Sequence, residues 1–87
     1  MFTTTMVVTA YCLLGGMANG EMVHQHSIAC PRAWAFGTKV EISGKMYICH
    51  DRLGPKHKRG RIDIWMPKCS DAIVWGKQTL KVKVYDK

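Results

Sequence analysis

No C-x-x-C pair occurs anywhere in these 87 residues. The four cysteines, Cys12, Cys30, Cys49 and Cys69, stand 18, 19 and 20 residues apart. Those spacings exclude the common zinc ribbons and dithiol redox motifs. Acids are scarce: six Asp and Glu face 13 Lys and Arg, for a net charge of +7. That balance favours polyanionic surroundings, whether nucleic acid, an anionic membrane or an anionic cell wall. No apolar run reaches the roughly 20 residues of a membrane-spanning helix. There are no internal repeats and no low-complexity linkers.

What is present is a folded chain. Hydrophobic residues make up 47% of it, too many for a disordered segment. The length suits one domain spanning residues 1–87. A chain this short buries only about 60–65% of its unfolded surface, so a staple is expected. An even cysteine count is compatible with one or two disulfides and an oxidising location. At least one disulfide is expected, and all three full pairings stay open.

The opening "MFTTTMVVTAYCLLGGMANG" has the apolar middle and small-residue end of a secretory signal. It lacks a basic n-region, and its centre is β-branched and rich in threonine. Its removal would leave too little chain for an ordinary core. It therefore reads as a strand, "TTTMVVTAY", followed by a glycine-rich loop, "LLGGMANGE". Residues 22–38 read as irregular. "TKVEI" and "KMYICHD" read as strands joined at Ser43-Gly44, a short hairpin signal. "RLGPKHKRG" is a loop, and "RIDIWM" is a strand. "SDAIVWG" is a short helix with Ser70 or Asp71 at its start and Gly76 past its end. "TLKVKVYDK" alternates, with Leu80, Val82 and Val84 on one face. Five or more short strands and one helix suit a closed barrel without exposed edges.

One stretch carries chemistry. "ICHDRLGPKHKRGRIDIWM" holds five of the 13 basic residues and two of the four aspartates, Asp51 and Asp63. Each aspartate sits in or beside an apolar, strand-like run. As bare residues they pair readily with Arg52 and Arg61. Trp34, Phe36, Trp65 and Trp75 read as core rather than as a sugar platform. His24, His26, His50 and His57 match no ligand spacing, so no metal and no cofactor are expected.

The ordered set "VVTAYC", "IACPRAWAFGTKVEI", "YICHDRLGPKHKRGRIDIWM" and "SDAIVWGKQTLKVKVY" resembles the three-aspartate (3D) domain. That family includes the stationary-phase mini lytic transglycosylases and the barrel of the membrane-bound lytic transglycosylase A type. It is more distantly similar to rare lipoprotein A and the expansins. The resemblance covers about residues 6–85. It implies a mainly β fold, a small six-stranded double-psi β-barrel with one short helix. Two of the family's aspartates carry over as Asp51 and Asp63. The first, which precedes a proline in that family, is replaced by Cys30 before Pro31.

The implied activity is peptidoglycan cleavage by a lytic transglycosylase. Such an enzyme uses no attacking water: one carboxyl protonates the leaving oxygen, then takes a proton from the muramic acid 6-hydroxyl. The resemblance assigns that role to Asp63, with Asp51 as an electrostatic partner whose like charge favours a protonated neighbour. Thr9, Tyr11 and Lys39 occupy recognisable motif positions and are expected to shape the substrate site. The basic loop is expected to rim the groove and attract an anionic glycan strand. The expected partners are peptidoglycan strands, with no nucleic acid, no membrane and a monomeric chain. The expected place of action is the bacterial wall, reached as a phage lysis or virion protein would reach it. A second expectation is a non-catalytic, expansin-like glycan-binding barrel, which the loss of the first aspartate favours. A basic nucleic-acid-binding module rests on charge alone.

Overall fold

The computed structural model describes residues 1–53 and 60–85. The central part of the basic loop, including His57, lies outside the described residues.

The described residues form strands β1 (Phe2–Tyr11), β2 (Ser27–Cys30), β3 (Lys39–Ile42), β4 (Lys45–Arg52), β5 (Arg61–Trp65) and β6 (Lys77–Tyr85), with one helix, α1 (Cys69–Trp75). The strands close into a barrel in the order β1-β5-β2-β4-β3-β6. The fold is therefore mainly β, a closed six-stranded barrel with one short helix. Pairing is parallel for β1·β5 and β2·β4 and antiparallel elsewhere.

Alternation along each strand builds the interior. Met6 and Val8 of β1, Val40 and Ile42 of β3, Ile62 and Ile64 of β5, and Val82 and Val84 of β6 all point inward. Ile28, Ile42, Ile62 and Ile64 are almost completely buried. Each contributes about 1.5–3 kcal/mol relative to exposure. Leu80, grouped with Val82 and Val84 by its period, is only half-buried and packs against the core's margin.

Strand β2 corrects the reading of residues 22–38 as irregular. All four of its residues are buried, because chain covers its outer face as well as its inner one. A strand covered on both faces has no period-two pattern to detect. The β3–β4 hairpin turns at Ser43 and Gly44, both at positive φ (50° and 81°), as a two-residue hairpin turn of matching twist requires. Helix α1 begins one residue earlier than expected. Neither Ser70 nor Asp71 caps it: Lys68 is the N-cap and makes no side-chain bond. Gly76, at φ 65°, ends it.

Two disulfides staple the barrel. Cys12–Cys69 joins the end of β1 to the start of α1. Cys30–Cys49 joins β2 to its neighbour β4 inside the core. Among the aromatic residues, Trp65 is buried, and Trp34, Phe36 and Trp75 pack against the core.

Candidate functional site

Register places the two aspartates. On β5, Ile62 and Ile64 face inward, so Asp63 faces outward. Asp63 pairs with Thr9 on one side and with Ala29 on the other. Ala29 in turn pairs with Asp51. Thr9, Asp63, Ala29 and Asp51 thus form one outward row across four strands. The acids flank the smallest side chain in it. Two strand spacings separate their Cα atoms by about 10 Å.

Asp51 reaches this row through an irregularity. Tyr47 and Cys49 face inward, and strict alternation would turn Asp51 inward as well. The register shifts between Ile28 and Ala29, so that Ile28 pairs with Cys49 while Ala29 pairs with Asp51. His50 is the extra residue of a β-bulge, and the bulge re-aims Asp51 to the outer face.

The glycine-rich loop covers this face. It is itself a small hairpin: Met17 N–H donates to Glu21 O (2.6 Å), Gly20 N–H to Met17 O (2.9 Å) and Val23 N–H to Gly15 O (2.9 Å). Its tip docks on β4. The Ala18 amide donates to Asp51 Oδ1 at 2.9 Å, and the Asn19 amide donates to the His50 carbonyl at 3.1 Å. Lower in the loop, Leu13 O accepts a bond from Trp65 Nε1 at 2.9 Å.

Each acid is held by its own donors. Asp51 accepts from the Ala18 amide, from the Arg52 amide at 2.8 Å and from the Tyr11 hydroxyl at 3.4 Å. Asp63 accepts from Thr9 Oγ1 at 2.9 Å. Arg61 Nε donates to that same hydroxyl at 3.3 Å. A cation thereby polarises the Thr9 O–H that bonds Asp63. Tyr11 reaches Asp51 by its hydroxyl and lies within the electrostatic influence of both acids. Burial, the charge of Asp51, the charge of Asp63 and the bond to Asp51 all push its hydroxyl well above the ordinary value near 10. The phenol is therefore a proton-bearing donor throughout the neutral range.

The arginines do not behave as the sequence suggested. Arg52 turns its guanidinium toward the disulfide, with Nη1 3.1 Å from Cys30 Sγ and 3.3 Å from Cys49 Sγ. Its Cζ lies 4.1 Å from the centre of the Phe36 ring, a cation–π distance. Only the Arg52 amide serves Asp51. Arg61 serves Thr9 by its Nε.

Of the expected site residues, Asp63, Asp51, Thr9 and Tyr11 come together. Lys39 does not join the row; it lies exposed on β3, paired with Ile48 and Tyr85. Cys30, standing where the first family aspartate is expected, points inward and is fully buried. A hollow of about 540 Å³ opens beside the row, lined in part by Thr9, Tyr11, Leu13, Arg61 and Ile73. Another, of about 560 Å³, lies between the β3–β4 hairpin and α1; neither hollow is lined by Asp51 or Asp63. Sequence reasoning missed the Ala18 amide, the spacer Ala29 and the role of Arg61. The loop's glycines, which permit a tight hairpin, were the one signal for the first.

These features define a small closed β-barrel with an outward pair of carboxylates, one of them held by a loop amide. The chain is 33% identical over 54 residues to YabE of Bacillus subtilis (strain 168), provisionally named a cell wall shaping protein. The match covers 62% of this chain and 13% of that relative. No protein-family model matches the sequence. No solved structure matches it. Among the described residues, no helix is long and apolar enough to cross a membrane.

Proposed function

We propose that this barrel acts on bacterial peptidoglycan as a lytic transglycosylase. One observation carries the reading: Asp63 and Asp51 stand on one face, in register on either side of Ala29. The similarity to a relative named for shaping the cell wall supports the substrate class. The net charge of +7 supports it too, since wall polymers are anionic.

In this reading Asp63 is the general acid and base. Its proton passes to the glycosidic oxygen as the bond from that oxygen to the muramic acid C1 breaks. The C1 centre becomes oxocarbenium-like. The sugar's own 6-hydroxyl then bonds to C1 and returns its proton to the Asp63 carboxylate, giving a 1,6-anhydro end. No water is consumed. Thr9, polarised by Arg61, orients the Asp63 carboxyl. Asp51 sets negative charge near the cationic centre, and Tyr11 with the Ala18 amide holds Asp51 in place. No metal or cofactor takes part in these steps. The expected setting is the cell wall, and a phage lysis or virion protein is one source that fits.

A second reading has its own observation. The resemblance expects an acid before Pro31, and the residue there is Cys30, buried in the core and bonded to Cys49; the lack of that acid favours a barrel that binds glycan without cutting it. Incubation with purified peptidoglycan, followed by mass spectrometry of the soluble fragments, separates the two. Anhydromuramic ends are the expected product. Reducing ends would replace the transglycosylase with a hydrolase. Pelleting with the wall and no release would leave the binder.

A further inference from the structure

We propose that Glu21, His24 and His50 form a binding site for a divalent transition-metal ion of the zinc class. The site is independent of the peptidoglycan reading and lies on the neighbouring part of the same loop–strand junction.

The three ligating atoms are Glu21 Oε1, His24 Nε2 and His50 Nδ1. They lie 3.2 Å apart between the two rings, and 3.7 Å and 3.8 Å from the carboxylate to His24 and His50. The nearest point equidistant from all three lies in their plane, about 2.1 Å from each, and an ion slightly out of that plane keeps within the roughly 2.0–2.2 Å of zinc bonds to imidazole and carboxylate. The edge of a tetrahedron with such bonds is about 3.3–3.5 Å, close to the three separations. Among the described residues, this group alone gathers three such side chains.

A second layer orients these ligands. His24 Nδ1 lies 2.8 Å from the Gln25 carbonyl. A proton on Nδ1 satisfies that bond and leaves the Nε2 lone pair facing the site. Asn19 grips Glu21 twice: its Nδ2 donates to Glu21 Oε1 at 3.1 Å, and its Oδ1 accepts from the Glu21 amide at 2.9 Å. His50 is placed by the bulge, and its carbonyl accepts the Asn19 amide. The side chains of Glu21, His24 and His50 are 53%, 45% and 18% exposed. Three protein ligands with an open side leave the fourth position to water or another small ligand.

Ligand spacing along the sequence could not reveal the group. Glu21 and His24 ride on the loop hairpin, and His50 comes from β4, 26 residues beyond His24. Its placement also gives it a consequence. The ion clamps the loop to β4 one residue before Asp51, beside the Ala18 and Asn19 amide bonds.

Metal-free, tag-free protein titrated calorimetrically with zinc chloride tests the site. We expect one equivalent of zinc per chain, and cobalt(II) in its place should give the visible absorption of a four-coordinate ion. His24→Ala and His50→Ala should each weaken zinc binding tenfold or more. Asn19→Ala, which removes only the orienting contacts, should weaken it about tenfold. His26→Asn, outside the triad, should bind as the wild type does. Zinc should raise the melting temperature of the wild type and leave that of His24→Ala unmoved; His24 is exposed, so this variant stays folded even where His50→Ala does not. Absence of saturable uptake would overturn the proposal. So would unchanged affinity in His24→Ala, because the zinc would then be held elsewhere.

Discussion

The two sides of this barrel are built from the same alternation but differ in what covers them. On the β6 side, inward Val82 and Val84 alternate with exposed Lys81 and Lys83. The outer face meets water, and its residues read directly as a half-buried strand. On the β5–β2–β4 side, the hairpin of residues 15–23 docks on β4, and Leu13 just before it takes the Trp65 indole N–H. Asp63, Asp51, Tyr11 and Thr9 are half-buried there, and Ala29 is nearly sealed. Covering an outer face turns polar residues from solvated surface into a site, since each must then find partners or face substrate. The parallel pairs belong to this side. They bring together residues 9, 29, 51 and 63, which no local contact would unite.

The disulfides offer the largest test of the contrast. Cys12–Cys69 closes a span of 57 residues and Cys30–Cys49 one of 19. Constraint of the unfolded chain is then worth about 4 and about 3 kcal/mol respectively. Thermal melts of Cys12→Ser/Cys69→Ser and Cys30→Ser/Cys49→Ser should both fall well below the wild type, the first further. The second should also loosen Arg52, whose guanidinium rests on that disulfide. A Cys30/Cys49 double variant with an unchanged melting curve would mean the covered side does not depend on its staple.

Next in size is the acid itself. Asp63→Asn keeps nearly the same shape and removes the proton carrier. Release of muropeptides should drop roughly a hundredfold or more, with an unaltered melting curve and retained wall binding. Asp51→Asn should cost less, because it removes a neighbouring charge and leaves the carrier. Full activity in a folded Asp63→Asn would end the catalytic assignment.

A smaller effect belongs to Tyr11. Its folded-state hydroxyl titrates above the ordinary value near 10, chiefly by burial and then by Asp51 and Asp63. The stabilisation is therefore whole below about pH 10 and is lost as pH rises through the folded value, because the unfolded chain ionises first. Denaturant melts at increasing alkalinity should show a steeper loss for the wild type than for Tyr11→Phe. Tyr47, also raised by burial, adds the same slope to both proteins. Identical slopes would show that Tyr11 is not held as a buried phenol beside Asp51.

The open side should give the least. Glu41 and Lys83 lie 3.8 Å apart across β3 and β6, with side chains 33% and 52% exposed. Such a pair contributes at most about 1 kcal/mol and is screened by salt. Glu41→Gln should shift the melting temperature by no more than a few degrees. A larger shift would erase the distinction between the two sides.

Much of the molecule could be read before folding was known. Alternation marked β6, and short β-branched or apolar runs bounded by turn residues marked β1, β3, β4 and β5. Ser43-Gly44 marked the hairpin and Gly76 the helix end, because few residues tolerate positive φ there. Asp63 sits between Ile62 and Ile64, so its outward direction followed from period two alone. The ordered motifs pointed to a barrel and to both acids. Other features came only with tertiary structure. β2 is sealed on both faces and shows no pattern. Asp51 faces outward only because a bulge at His50 breaks the alternation, and a bulge is set by the pairing of β4 with β2. The same bulge brings His50 to Glu21 and His24. The disulfide pairing was open until strand order made Cys30 and Cys49 neighbours. Local periodicity records what a residue does along its own strand; which strand lies beside it, and what covers it, is decided by closure of the barrel.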